Sequence, residues 1–397
     1  MKKDLIFYFS VSLLSKLISG ISLLILARYF SKLEFGLLRT TLSLVGLIFI
    51  FVNYGLSDLF LYRFSKNKNK KLFSIFFSGF SLNYLISIAF LLISGFFIEI
   101  KLFILTMIFF IKSFFDWIFD ISFKYFQSLN KFNKLSIALL LQSLPVLLST
   151  LFVILTKANV FAYSIVFLFF TIIIVFIFIL FFRLNYLFNI NFNIYKNLKF
   201  FKSSHVFFIS TFMSYIYMQS DILMLSFLKG YKEVARYSVI TTIIMSIYLF
   251  PTILYNYYLP KLTETFKNIS IYKKFLKTYL ITNFIIVFTI FTVFILFAKE
   301  ILVFLYTEKY IDSLNIFKAL LFVFFFHGIV FVFASILTST GNQRLRSKVQ
   351  VLAAFTNIAL NLIFIPLYGA EGAAFTTAIT EVIIFSLYLY FSKRVLS

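Results

Sequence analysis

The chain alternates long apolar runs with short polar breaks, and the alternation recurs along its whole length. Counting the runs gives spans near 5–27, 36–61, 73–98, 102–121, 135–156, 160–182, 204–228, 237–259, 279–298, 313–338, 349–367 and 372–391. Each approaches or exceeds the roughly 20 apolar residues that a helix needs to cross the hydrocarbon core of a bilayer. The runs at 102–121 and 313–338 are the least clean, because each holds charges. The longest breaks, near 183–203 and 260–278, are only about twenty residues, too short to fold as an extramembrane catalytic domain. The pattern predicts an all-α integral membrane protein of about 12 transmembrane helices, with no separate soluble domain.

Composition agrees with the pattern. Of 397 residues 62% are hydrophobic and 13% charged, against roughly 25% charged in a soluble globular chain. Mean hydropathy is +1.01. With no cysteine in the sequence, thiol catalysis, disulfides and thiolate metal sites are excluded. Met1-Lys2-Lys3 before an apolar stretch looks like a secretory signal, but Lys16 interrupts the run and no small-residue cleavage motif precedes Arg28. The stretch therefore reads as a retained first span.

A net charge of +23 suggests nucleic acid until the charges are placed. They lie between the apolar runs rather than along one amphipathic face, so they read as topology signals and no nucleic-acid partner is expected. Twelve spans put both termini on one side. The breaks on that side hold 24 basic residues, among them Arg63, Lys66, Lys68, Lys70 and Lys71, and the opposite breaks hold 9 together with seven of the fourteen acids. Lys and Arg resist translocation, so both termini are expected in the cytoplasm of a bacterial inner membrane. A weak repeat accompanies the count. Glu34-Phe35-Gly36-Leu37-Leu38 opens the second run and Glu233-Val234-Ala235-Arg236-Tyr237 the eighth, half a chain later. Six spans per half make the repeat parallel, with an expected division into lobes 1–195 and 196–397.

Lys16, Arg39, Lys112 and Lys318 fall inside runs, alongside Asp58, Asp116, Asp120, Asp221 and Glu381. A charge at a helix centre costs about 2.5–3.5 kcal/mol on insertion scales, so such residues are expected to face a bundle interior or a wet cavity. Arg39 and Lys318 lie near span ends, where snorkelling explains them equally well. Lys112, Asp116 and Asp120 recur every four residues and share one helix face, as a polar translocation stripe or as an internal ion pair. Asp221 and Glu381 read as proton carriers or as partners in interhelical hydrogen bonds, and His327 as a proton site or a packing histidine. Asn357 and Asn361 share a face suited to interhelical hydrogen bonds. The histidines are too isolated to ligate a metal, and no phosphate-binding glycine loop or Ser/His/Asp cluster is present, so no cofactor and no built-in ATPase is expected.

Several of these segments carry a resemblance. Asn361-Leu362-Ile363-Phe364-Ile365-Pro366-Leu367-Tyr368-Gly369-Ala370-Glu371-Gly372-Ala373-Ala374, followed by Glu381, resembles the turn between the last two spans of the O-antigen and polysaccharide repeat-unit flippases, members of the multidrug/oligosaccharidyl-lipid/polysaccharide exporter superfamily. The segment from Ala27 to Gly36 is similar to that family's first external loop, Asp221-Ile222-Leu223-Met224-Leu225 to its seventh span, and Ser339-Thr340-Gly341-Asn342-Gln343 to the break after its tenth. The resemblance implies two six-helix lobes around a central cavity, rocking between inward- and outward-open states. It implies a substrate too: an undecaprenyl-diphosphate-linked oligosaccharide carried from the cytoplasmic to the periplasmic leaflet, driven by a proton or sodium gradient. Membrane lipids and a polysaccharide polymerase machinery are the further partners. Lys16, Arg39, Lys112 and Lys318 would then replace water around the diphosphate. Asp116, Asp120, Asp221, His327 and Glu381 would form the ion-coupling or polar path. A drug exporter of the same superfamily shares the architecture. A membrane-embedded polymerase or ligase has similar hydropathy but usually a long periplasmic loop that this chain lacks, and a channel is disfavoured by the repeat.

Overall fold

A computed structural model of the chain describes residues 2–68, 71–96, 98–184 and 194–396. Residues 185–193 of the long break after the sixth run, and Lys70 of the basic break after the second, lie outside the described residues. Among those described, every regular element is helical: α1 Lys2–Tyr29, α2 Lys32–Asn53, α3 Leu56–Asn67, α4 Lys71–Ser94, α5 Ile100–Ser128, α6 Phe132–Thr156, α7 Val160–Phe182, α8 Ile194–Leu228, α9 Tyr231–Ile247, α10 Leu249–Thr265, α11 Ile269–Leu296, α12 Ala298–Tyr306, α13 Leu314–Ser339 and α14 Gln343–Leu396, with a 3-10 segment at Thr307–Ser313. Among the described residues ten helical stretches are long and apolar enough to cross a membrane. α14, 54 residues long, is really two helices joined at Gly369, and the 35-residue α8 carries the seventh run. With these, each of the twelve runs lies on helix.

The helix ends follow from local chemistry. α2 begins with a capping box, in which Ser31 Oγ accepts from the Glu34 N–H at 3.2 Å and the Ser31 N–H donates to Glu34 Oε2 at 3.0 Å. Asn159 and Asn268 cap α7 and α11 by accepting from Ala162 N and Ile271 N. The second run, continuous in hydropathy, breaks between α2 and α3, where Tyr54 and Gly55 both take left-handed backbone (φ 44° and 71°). The break packs on α8: the Tyr54 hydroxyl lies 2.8 Å from His205 Nδ1, and the Tyr54 ring stacks on Phe208 at 4.4 Å. The eighth run divides into α9 and α10 at Tyr248, where Pro251 lacks the N–H that would continue the hydrogen-bond ladder.

The chain divides into two compact units, Met1–Tyr215 and Ile216–Ser397, so the division falls inside α8, twenty residues beyond the one expected at 195/196. In the first unit α5 is central, packing on α2, α3, α6 and α7, while α1 lies along α6. Its core is aromatic. Trp117 stacks on Phe80 with centroids 3.9 Å apart, Tyr84 stacks on Phe110 at 4.5 Å, and the Tyr84 hydroxyl donates to the Phe110 carbonyl. In the second unit α13 is central, packing on α9, α10, α11 and α14.

α14 folds back on itself at Gly369, whose backbone (φ 57°, ψ −133°) suits glycine alone. The N–H of Ala370, the first donor of the returning half, is taken by Glu233 Oε2 at 2.8 Å. The segment matched to a family turn is thus a helix start capped from α9. A Cβ on residue 369 would stand 2.5 Å from that same Glu233 oxygen. Gly369→Ala is therefore expected to strain the backbone by about 1–3 kcal/mol and to push the cap aside. Thermal unfolding of the detergent-solubilised protein should show a lowered midpoint. An unchanged midpoint refutes the account of the turn.

Candidate functional site

The second unit buries two carboxylates in separate hydrogen-bonded settings. Asp221, on α8, is sealed and receives three donors: the Tyr237 hydroxyl from α9, Asn361 Nδ2 at 2.6 Å from the first half of α14, and Thr377 Oγ1 at 3.0 Å from the second half. Asn361 is the hub. Its amide nitrogen also reaches Asn357 Oδ1 at 3.0 Å, and its oxygen accepts from Thr376 Oγ1. Ser220 Oγ donates to Asn357 at 3.3 Å. The amides, fixed by their neighbours, have one consistent orientation.

Glu381, 1% exposed on the second half of α14, has a thinner shell. His327 Nδ1, from α13, lies 2.8 Å from Glu381 Oε1, and the Tyr217 hydroxyl donates to Oε2 at 3.3 Å. The His327 ring is partly open, at 31% exposure, and stands edge-on to Tyr248 and Phe331. Asp221 is thus sealed and triply bonded, whereas Glu381 is sealed but reached through a histidine that is not.

In the first unit the fourfold spacing on α5 does produce contact. Lys112 Nζ sits 2.7 Å from Asp116 Oδ2 and 4.2 Å from the centroid of Phe167 on α7. Asp120, half-buried, continues the face. One further turn on, Lys124 reaches across to Asp58 of α3 at 2.8 Å. Lys124 was not singled out in the sequence, although it extends the 112, 116, 120 series by another four residues. Its partner was outside any local pattern.

The other predicted cations are placed differently. Lys16 on α1 and Lys318 on α13 are exposed within their own units. Arg39 on α2 is half-buried. The first unit therefore holds Lys16, Arg39 and Lys112 on three different helices, and the second holds Lys318 with Asp221, His327 and Glu381. Tyr237, Thr376, Thr377 and Tyr217, which complete the two carboxylate settings, carry no sequence signal beyond being polar inside apolar runs. A second ionic cluster lies at the start of α9, where Arg236 meets Glu233 at 2.8 Å, Asp312 at 3.3 Å and Glu371 at 3.5 Å.

Comparison with known proteins identifies the family and the fold. A family described as polysaccharide biosynthesis protein matches residues 1–266. A Shigella flexneri protein described as an O-antigen transporter is 23% identical over 176 residues, a match covering 44% of this chain and 42% of that protein's length. Among solved structures, the lipid II flippase MurJ in an inward closed conformation superposes with a TM-score of 0.80 at 20% identity, covering 98% of this chain and 87% of that one. The inward-facing form of a multidrug resistance MATE family transporter of the MOP superfamily gives 0.76 at 13% identity, covering 98% of each. At such identities the likeness shows the fold.

The Lys112–Asp116 contact sets an expectation. Lys112→Asp or Asp116→Lys alone puts two like charges one turn apart, and both changes together restore an opposite pair. The two single reversals should each destabilise the protein, with a coupling on the order of 0.5–3 kcal/mol returned in the double variant. Thermal unfolding of the four proteins measures it, and strictly additive losses would show the side chains to be independent.

Proposed function

The chain belongs to the polysaccharide biosynthesis protein family, and from that premise we propose that it is a flippase for an undecaprenyl-diphosphate-linked oligosaccharide repeat unit. It is a multi-pass membrane protein with the fold of the MOP transporters. In this proposal the chain lies in a bacterial inner membrane with both termini cytoplasmic. The head group moves from the cytoplasmic to the periplasmic leaflet by alternating access of lobes 1–195 and 196–397, and a proton or sodium gradient drives it.

The observation that carries the reading is the way ionisable groups are kept inside membrane-spanning helices. A diphosphate cannot shed its hydration in hydrocarbon without cations to replace the lost water. Lys16, exposed and with no partner among the described residues, and half-buried Arg39 supply charge in the first unit. Lys112 supplies it conditionally, because its ammonium is held by a single carboxylate. A phosphate oxygen can take the place of Asp116, and Asp116 then becomes the group that must find a proton or a cation. Asp120 extends that polar path. In the second unit Asp221 and the Glu381–His327 pair are the ion-coupling candidates. His327 carries an imidazole that can hold a proton and touches Glu381 directly. Oxygen donors at Asp221, Asn357, Asn361 and Thr377 are of the type that a hard cation takes.

Export of a cationic small molecule is the second reading, and the two buried acids favour it. Each acid, however, already has protein donors on both oxygens. Lys16 and Lys318 are exposed cations inside spans, which favours an anion.

Two measurements test the proposal. In a strain lacking this protein, undecaprenyl-linked sugar should accumulate on the cytoplasmic leaflet and surface polysaccharide should disappear. The wild-type protein should restore both, and Lys16→Ala, inserted at normal level, should not. Full surface polysaccharide in the deletion strain, with no redundant flippase, removes the function, and full activity of Lys16→Ala removes only the cationic role given to it. The second measurement addresses orientation. The absence of native cysteine allows single-cysteine labelling without background, so Lys229→Cys should react with an impermeant external reagent and Lys68→Cys should not. The reverse pattern inverts the topology.

A further inference from the structure

We infer that the second unit carries its own recognition stripe for a sugar linked to a phosphate, with Arg346 as the phosphate anchor and Tyr255, Phe331, His327 and Tyr248 as the surface along which the sugar rings lie. The inference rests on the flippase reading and names substrate contacts that it leaves open.

Arg346 stands in the first turns of α14, just past the Ser339–Gln343 break, at the end of the unit proposed to be cytoplasmic. It is placed by two hydrogen bonds from one nitrogen: Nη1 donates to the Tyr255 hydroxyl at 3.0 Å and to Thr338 Oγ1 at 3.2 Å. Among the described residues no carboxylate pairs with it, and its remaining side-chain hydrogen-bond partner is the Tyr388 hydroxyl. A guanidinium has five donors in a rigid fork that matches phosphate oxygens. Here the fork is half-buried and held by hydroxyls alone, so no protein acid takes up its charge. That differs from Arg236, whose fork is taken up by three acids.

An unbroken rank of rings leads away from this anchor. Tyr255 packs on Phe331 with centroids 5.7 Å apart, Phe331 on His327 at 5.2 Å, and His327 on Tyr248 at 5.1 Å. All five side chains are half-buried, so the rank is neither sealed core nor fully outward surface. Tyr248 and Tyr255 are seven residues apart along the kinked eighth span and therefore share a face about 10 Å long, longer than a single sugar ring. Aromatic rings with polar rims suit sugars, whose apolar C–H faces stack while their hydroxyls find partners at the rim. The Tyr248 hydroxyl makes no hydrogen bond among the described residues, and His327 is already oriented by Glu381. Phosphate anchor and ring surface occur in the order in which a lipid-linked sugar presents diphosphate and then glycan.

The competing account is that Arg346 only snorkels to the head groups of bulk lipid. The test uses full-length protein in phosphatidylcholine nanodiscs. Binding of undecaprenyl diphosphate, undecaprenyl-diphospho-N-acetylglucosamine and phosphatidylglycerol is read by native mass spectrometry. Arg346→Gln should weaken both undecaprenyl lipids about tenfold or more, the loss of hydrogen bonds to a charged group. Arg346→Lys should fall between, keeping charge without the fork. Phe331→Leu should weaken the glycosylated lipid several-fold and leave undecaprenyl diphosphate unchanged. Undiminished binding by Arg346→Gln, equal loss of both lipids in Phe331→Leu, or phosphatidylglycerol bound as tightly as undecaprenyl diphosphate by the wild type would each overturn the stripe while the flippase reading stands. Wild-type protein that binds neither undecaprenyl lipid would overturn both.

Discussion

Asn361 ties α8 to both halves of α14. One amide bonds an acid on α8, an amide one turn away on its own helix and a hydroxyl on the returning half of α14. Through Asp221 the same network reaches Tyr237 on α9 and Thr377 on α14. Between apolar helices in lipid there is no hydrophobic driving force for association, so close packing and hydrogen bonds must fix the arrangement. The reversal of α14 at Gly369 is what lets Asn361 and Thr376 face each other. The Glu233 cap on Ala370 fixes that reversal from α9. Cap, reversal and network thus share α9 and α14 as supports, and none could be moved alone.

The first unit solves the same problem with different chemistry. Its centre is a stack of aromatic rings, Trp117 on Phe80 and Tyr84 on Phe110, and its polar contacts lie toward the edges of that core rather than through it. Flat rings in register give large contact areas, and the Tyr84 hydroxyl is answered locally by the Phe110 carbonyl. The charged groups of this unit, on α5 and α3, pair either within a turn or to the adjacent helix. A sequence with 62 phenylalanines can pack a bundle this way, and the repeat between Glu34 and Glu233 does not extend to how the two carboxylates are used. Glu34 closes a capping box on its own helix, while Glu233 caps a helix 137 residues away.

What was legible in the sequence follows the range of the interaction. The helical spans were legible because hydropathy is a local property, and Lys112 with Asp116 because a spacing of four fixes neighbours on a helix. The break at Tyr54–Gly55 was not, since both halves are equally apolar and the break is specified by the backbone of α8 against Gly55. Asn357 and Asn361 were recognisable as sharing a face, and Asp221 as anomalous in an apolar run. Their meeting was not, because a separation of 140 residues leaves no spacing to read. The exposure of Lys16 was likewise hidden, since burial depends on which side of α1 its neighbours cover.

The charges inside the spans sort by how many partners each would have to give up in order to act. Asp221 would have to release three donors from three helices, and an unsatisfied buried donor costs about 1–3 kcal/mol each, so a change in its occupancy must be felt by α8, α9 and α14 together. Lys112 and His327 each have one ionic partner, within a turn or on one facing helix, and exchanging it disturbs little else. The two kinds differ in what an exchange of partner does. Singly partnered groups can trade a carboxylate for a substrate oxygen or a proton without unpacking the unit. A multiply partnered acid converts the arrival or departure of one charge into a shift of whole helices, because it cannot respond locally. Within the second unit Asp221 is the multiply partnered acid, tied to α9 and to both halves of α14, and His327 is the singly partnered group.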